Sequence, residues 1–303
     1  MVDLHSLVVT PVNSSSNFAL MMARRTLAGG IDGVFEGIED RQVSSSSRRC
    51  LTWWPVGCPK RFNAEVARSQ PLHKVTFYLA FINMSEAQFT LYSHLTGPNG
   101  WKVTYLLNEL GLSYNTVYVN TKENDHKKPP YLALNPNGRM PTLVDHKNGD
   151  FTVWESSAIL LYIVDKYDTE KRFTVTSEED RYHLYQWLFF QASGQGPYYG
   201  QSYWFNHIHP EKIPSAQERY KNETRRVLGV LESVLLKQEW LVGGKLTIAD
   251  LTFVPWHNSL KGLLGEEFDF EKGFPATYRW HTSISALPGV KAGNELKARL
   301  MTH

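Results

Sequence analysis

Apolar and polar residues begin to alternate at Phe89, where Thr90, Leu91 and Tyr92 follow with the period of a strand. From Trp101 to Leu110 the spacing changes. Trp101, Tyr105 and Leu106 recur at helical intervals and Gly111 stands where a helix would stop. Tyr114 to Val119 is rich in aromatic and β-branched residues, which predicts a second strand. A polar run, Asn120 to Lys128, then leads to a short helical segment at Tyr131 to Leu134. Thr142 to Val144 and Phe151 to Trp154 read as two strands, and the Asn148-Gly149 dipeptide between them is a hairpin signal. A helix from Glu155 and Ser156 to about Tyr167 follows, with Ile159, Leu160 and Ile163 on one face. The order βαβ and then ββα predicts a thioredoxin-like domain over residues 84–168.

Beyond a polar linker at 169–178 the strand signal disappears. Four long helical patterns follow, near 179–204, 215–238, 248–264 and 275–300, and predict an all-helical domain over 179–303. The fold class expected is therefore α+β. One helix start is strongly specified: Thr247 and Asp250 form a capping box, with Leu246 and Leu251 at the staple positions. That motif is expected to serve local stability.

Residues 1–83 carry no sustained period. Ser14 to Ser16, Ser44 to Ser47, Gly29 and Gly30 lie among scattered arginines, as in a disordered or extraneous segment. Arg24, Arg25, Arg48 and Arg49 among serines suggest a transit peptide, which Asp32, Glu36, Glu39 and Asp40 contradict. The other reading begins the functional protein at Met84, with the upstream part a flexible extension or a gene-model artefact.

The 303 residues are 42% hydrophobic and 20% charged, ordinary globular proportions for about two domains. A net charge of +2 gives no field that favours nucleic acid or a membrane surface. Apolar runs such as Phe77 to Ile82 fall far short of the roughly 18–20 residues of a spanning helix. A soluble, cytoplasmic protein without nucleic-acid or membrane partners is expected. The two cysteines, Cys50 and Cys58, both precede Met84, so the region after it has no thiol for a disulfide, a cysteine-ligated metal or a nucleophile. No metal is expected.

Two constellations point to a peptide-like ligand. Pro141 precedes a strand, where it donates nothing to the ladder and can sit as a cis bond, leaving the N–H and C=O of Met140 to pair with an extended peptide. Glu155 and Ser156, at a helix start, offer a carboxylate for an ammonium beside a hydroxyl and free amides for a carboxylate. Together they match the amino-acid end of a γ-glutamyl group. Each also has a plainer reading, as a turn into a strand and as a favourable helix start. Tyr198, Tyr199, Tyr203 and Trp204, after the break at Gly196 and Pro197, are expected to line a pocket for an apolar second substrate, although such spacing also suits a core.

Ser93-His94, Pro98-Asn99-Gly100, the run from Asn135 to Pro141, and Trp154-Glu155-Ser156 resemble soluble glutathione transferases. Trp187 to Gln191, Ser193, Gly194, Pro197, Leu246 to Leu251 and Val254-Pro255-Trp256 narrow the likeness to the fungal nitrogen-regulator-like class, over roughly residues 88–300. The resemblance implies glutathione as co-substrate, bound by Asn99, His126, Met140 through its backbone, Glu155 and Ser156, with Arg139 and Pro141 shaping the loop. It makes Asn99 the residue at the sulfur, where other classes use Tyr, Ser or Cys; Tyr92 and Ser93 are the local competitors. It also implies a homodimer. Three functions follow: conjugation of glutathione to an electrophile; glutathione-dependent reduction of a disulfide or peroxide; and binding of a transcription factor without catalysis. A prion-like extension is disfavoured by the few Asn and Gln residues upstream of Met84.

Overall fold

A computed structural model describes Val8–Val9 and residues 87–302. The expectations for residues 1–83 therefore fall, apart from those two valines, outside the described residues. The sheet comprises β1 (Val8–Val9), β2 (Phe89–Ser93), β3 (Tyr114–Tyr118), β4 (Thr142–Asp145) and β5 (Phe151–Trp154), in the spatial order β1-β3-β2-β4-β5. β2 and β3 are parallel, and β4 is antiparallel to both β2 and β5. This is the βαβ-ββα arrangement expected from the sequence. β1 adds an antiparallel edge beside β3 that no pattern announced.

The crossover between β2 and β3 is helix α1 (Pro98–Glu109). Pro98 occupies the first turn, where a missing N–H costs nothing, and Gly111 at φ 64° ends the run. Gly100 is required by packing: a Cβ there would collide with Ser93 Oγ. The short α2 (Pro129–Leu132) and α3 (Ser156–Tyr167) complete the first part.

The helical part contains α4 (Glu178–Phe190), α5 (Gly196–Tyr203), α6 (Pro214–Leu235), α7 (Ile248–Leu251), α8 (Val254–His257), α9 (Leu260–Leu264), α10 (Phe270–Gly273), α11 (Pro275–Ser285) and α12 (Pro288–Met301). Three of the four expected long helices are interrupted. A π turn at Gln191–Gln195 interrupts the first, and a second at Trp204–Ile208 follows at its end. The third is three short pieces, with Pro255 opening the second of them. Pro288 splits the fourth because it can neither donate an amide hydrogen nor avoid the preceding turn.

A single apolar cluster runs through both parts. Phe89, Leu91, Trp101, Leu106, Leu143 and Ile159 belong to it, and so do Leu184, Trp187, Phe253, Trp280 and Val290. Helix α12 crosses α1 closely because Gly289 and Gly293 have no side chain; a Cβ at Gly293 would stand 2.8 Å from the Tyr105 ring. Glu109 on α1 accepts the first amides of α12, from Gly289 at 2.5 Å and Val290 at 3.3 Å, a favourable charge at a helix N-terminus.

The capping box forms as expected, and Asp250 does more than cap. Its carboxylate accepts from the Thr247 and Leu241 amides and from the Trp280 indole, at 2.8, 2.9 and 3.0 Å, with no solvent exposure. Burial raises its pKa to about 6 against these bonds. The Thr247 hydroxyl also donates to the carboxylate at 2.9 Å, so Asp250→Ala orphans four buried donors at once and is expected to cost about 3–5 kcal/mol, read from denaturant unfolding.

Near it, His257 and His281 are buried as neutral rings. Both nitrogens of His257 and Nδ1 of His281 have no hydrogen-bond partner among the described residues. Burial holds His257 well below its usual value of 6.5 and His281 at about 4. Between those limits the folded state binds fewer protons than the unfolded one, so the histidines destabilise the fold as pH falls through 6.5 towards 4. Asp250, raised from 3.8 to about 6, acts in the opposite sense over much the same range. The difference isolates the imidazole: His281→Leu is expected to lose less thermal stability than wild type between about pH 7 and pH 5. Parallel melting curves for the two proteins would contradict this.

Candidate functional site

A cleft of about 380 Å³ opens at the carboxyl end of β2 and the start of α1, lined by His94, Gly97 to Gly100, Thr121, His126, Lys127, Gly138 to Met140, and Trp256. Asn99, His126, Arg139 and Met140 are thus brought together from three segments. Tyr92 and Ser93 are not among the lining residues. Ser93 is buried beneath Gly100, and Tyr92 packs edge-on against Tyr131 at 5.8 Å.

The side chain of Asn99 is fixed by a residue far along the chain. Trp256 Nε1 donates to Asn99 Oδ1 at 3.1 Å. An indole N–H can only donate, so the amide oxygen must face it and the N–H₂ is turned away. Trp256 is itself backed by Tyr199, whose ring meets it edge-on at 6.2 Å. The approach to Asn99 is shaped by His94: its Nδ1 accepts the Gly97 amide at 2.9 Å, and its Nε2 lies 3.1 Å from Thr121 Oγ1. An Nδ1 that accepts implies the neutral ring, in keeping with a pKa lowered by burial, by His126 and by Lys297.

The opposite wall is the 135–142 loop, organised around buried Asn135. Its Nδ2 donates to the Arg139 carbonyl at 2.7 Å and to Thr142 Oγ1 at 3.0 Å, and its Oδ1 accepts the Asn137 amide at 3.0 Å. Tyr131 Oη adds a second donor to the Arg139 carbonyl at 2.7 Å. Gly138, at φ 60°, is needed here because a Cβ would come within 2.7 Å of the His126 carbonyl. The Met140–Pro141 bond is cis. Among the described residues neither the N–H nor the C=O of Met140 has a backbone partner. An extended peptide laid along this wall meets one donor and one acceptor, as it would beside a sheet edge.

Glu155 and Ser156 lie outside the lining of this cleft, at the N-terminus of α3. They adjoin it through the sheet, since Thr142 pairs with Trp154 at the end of β4 that follows Met140–Pro141. Glu155 is exposed at φ 72° and ψ 116°, a left-handed conformation that costs a non-glycine residue roughly 1–3 kcal/mol. Ser156 is buried, and its Oγ accepts from Lys102 Nζ at 3.2 Å. At the other end, Lys127, His126 and Arg139 give the cleft a basic rim.

The four aromatics expected to form a second pocket are divided. Tyr199 is wholly buried in a cluster with Val227, Leu228 and Leu260. Tyr198 faces Tyr220 on α6, and Tyr203 and Trp204 are exposed. None of the four lines the Asn99 cleft. The sequence shows Trp256, which lines the cleft, only as part of a family motif, and gives no sign that Lys102 reaches Ser156 from within the core. Among the described residues no group of three or more His, Cys, Asp or Glu side chains is placed to hold a metal, and no helix is long and apolar enough to cross a membrane.

Comparison with known proteins agrees with this geometry. Residues 87–165 match the model of the glutathione S-transferase N-terminal domain, and residues 197–288 that of the C-terminal domain. Glutathione S-transferase 2 of Schizosaccharomyces pombe is 51% identical over 224 residues, covering 70% of this chain and 97% of its own. The transcriptional regulator URE2 of Saccharomyces cerevisiae is 38% identical over 237 residues, covering 67% of this chain and 66% of its own. The crystal structure of glutathione transferase URE2P8 from Phanerochaete chrysosporium, with oxidized glutathione, superposes with a TM-score of 0.70 at 48% identity over 72% of this chain and 98% of that one. With both domain models matched in order and 51% identity to a transferase across 97% of that protein's length, the chain belongs to the glutathione S-transferase family.

Proposed function

We propose that the cleft binds glutathione extended along the 135–142 loop and holds its sulfur at the Asn99 amide, for attack on a small apolar electrophile. The observation that carries this reading is the Trp256 indole at Asn99 Oδ1, which leaves the amide N–H₂ to donate into the cleft. A free thiol of pKa about 8.5 is only a few per cent thiolate at neutral pH. A donor that bonds the thiolate better than the thiol lowers that pKa and enlarges the nucleophilic fraction. Asn99 is not a base, so the proton leaves to water in the open cleft.

The rest of glutathione follows from charge. The cysteinyl backbone pairs with Met140 beside Pro141. The glycyl carboxylate meets His126, Lys127 and Arg139. The γ-glutamyl ammonium meets Glu155, and its carboxylate meets Ser156 and the α3 amides. In this reading residues 84–168 hold glutathione and 179–303 receive the electrophile beside Trp256, with the exposed Tyr203 and Trp204 available to it. The protein acts in the cytoplasm as a detoxifying enzyme and needs no metal. The exposed aromatics Phe151 and Trp154 on β5 and Tyr182 and Phe189 on α4 support a homodimer; Phe189 is 71% accessible in a single chain.

A second reading keeps the same site and turns the thiolate on a disulfide or peroxide. The relative crystallised with oxidized glutathione favours keeping it. With no cysteine among residues 84–303, that reaction consumes two glutathiones. The regulator reading ranks below both, since residues 1–83 hold four Asn and two Gln, too few for a prion-like segment.

Asn99→Ala is expected to lower kcat/KM about 10²–10³-fold with an aryl halide, as losing one preorganised donor does elsewhere, and to leave glutathione affinity nearly unchanged. A mixed disulfide assayed in parallel chooses between conjugation and reduction. Undiminished turnover in the variant would contradict the role given to Asn99; binding without turnover in wild type would put the regulator first. Light scattering at micromolar concentration is expected to give a dimer mass, and a monomer mass would refute the homodimer.

A further inference from the structure

Lys102 is the charged residue least expected where it stands. It lies on α1 three positions after Asn99, yet it points into the core and is 2% exposed. Its Nζ donates to Gln191 Oε1 at 2.7 Å and to Ser156 Oγ at 3.2 Å. A buried lysine presents three donors, and two acceptors are on hand.

The polar chain continues away from the cleft. Gln191 Nε2 donates to Gln195 Oε1 at 3.0 Å, Gln195 Nε2 reaches the Phe253 carbonyl at 3.4 Å, and Thr252 Oγ1 lies 3.5 Å from Gln191 Oε1. Gln191 begins the π turn in the first helix of the bundle, and such turns recur at functional positions. Gln191, Gln195 and Thr252 are completely buried. An apolar residue in place of the lysine would avoid the cost of burying an amine here, so packing does not account for it.

We propose that Lys102 is the positioning residue for the γ-glutamyl carboxylate, a cation held behind Ser156 that orients the serine hydroxyl and supplies the counter-charge when the carboxylate docks. Because Ser156 Oγ accepts from Lys102, its own O–H is free to donate outward, toward the α3 N-terminus. The arriving carboxylate then meets a hydroxyl donor, the free α3 amides and a full positive charge one hydrogen bond behind them. This inference rests on the glutathione reading and says how one end of that ligand is recognised.

A consequence can be measured without any variant. Burial brings the Lys102 ammonium down to about 7, with the Glu155 carboxylate pulling it back up. Glu155 is the carboxylate whose field reaches it; Ser156 from α3, Gln191 from the π turn and Thr252 from the α7–α8 connection are uncharged. Above neutrality the empty site thus holds a largely neutral amine, and a docking carboxylate restores the charge by drawing a proton from solvent. Affinity should weaken as pH rises above about 7, up to tenfold per unit.

The test is isothermal titration calorimetry of the full chain at about pH 8, in two buffers of different ionisation enthalpy, with S-methylglutathione so that no thiol titrates. The comparison ligand is 4-aminobutyryl-S-methylcysteinylglycine, the same molecule with hydrogen in place of the γ-glutamyl carboxylate. S-methylglutathione is expected to take up more than about half a proton and the comparison ligand close to none. Lys102→Met is expected to abolish the uptake and weaken S-methylglutathione at least about tenfold, while changing affinity for the comparison ligand little. Binding of S-methylglutathione without proton uptake, or equal uptake with both ligands, overturns the role of Lys102 and leaves the glutathione site standing. Failure of S-methylglutathione to bind overturns both. The wild-type arm decides the matter even if the methionine variant does not fold.

Discussion

The site depends on one hydrogen bond between residues far apart in the chain, from the Trp256 indole to the Asn99 amide oxygen. An asparagine amide has two faces of opposite character, and rotating it by half a turn would present an oxygen to the cleft. An oxygen there would repel a thiolate. The indole admits only one orientation, so the rest of the structure serves to keep two anchors in register. On one side, α1 is pressed onto the sheet by Gly100 over Ser93 and clamped by α12 through Gly293 and Glu109. On the other, Trp256 rests on fully buried Tyr199. The buried tyrosine thus supports the site from behind, in a place where a substrate contact had been expected.

Two buried ionisable groups tie the helical part to this arrangement. Asp250 gathers the Leu241 and Thr247 amides and the Trp280 indole, fixing the short helices that lead to Trp256. Lys102 links the same helix that carries Asn99 to Ser156 and to the π turn at Gln191. Each forfeits hydration energy that an apolar side chain would not, and each bonds groups from separate segments of the chain. In the proposed reading, sulfur and γ-glutamyl carboxylate are addressed from a single rigid element, α1, by residues one turn of helix apart.

Much of this is visible in the sequence because local rules govern it. Strand alternation at Phe89, the Asn148-Gly149 turn and the Thr247/Asp250 box are short-range patterns, and they predicted the elements that form. The Asn135 to Pro141 segment is equally local: Asn135 bonds within seven residues of itself, so the loop carries its own instructions. Trp256 and Lys102 are different. Nothing near Trp256 shows that its indole will meet a residue 157 positions earlier, and a lysine between Trp101 and Val103 reads as part of a solvated face. Helix continuity was also overestimated, since apolar periodicity passes through Pro255, Pro288 and the π turns without revealing the breaks.

The orientation of Asn99 is tested most directly by the thiol pKa of bound glutathione, read from thiolate ultraviolet absorbance in wild type, Asn99→Ala and Trp256→Phe. The phenylalanine keeps a ring against Tyr199 and removes the N–H. The thiol should titrate well below about 8.5 in wild type and return toward that value in both variants. A Trp256→Phe protein whose bound thiol titrates with wild type, while Asn99→Ala does not, would show that the amide finds its orientation without the indole and would contradict the account.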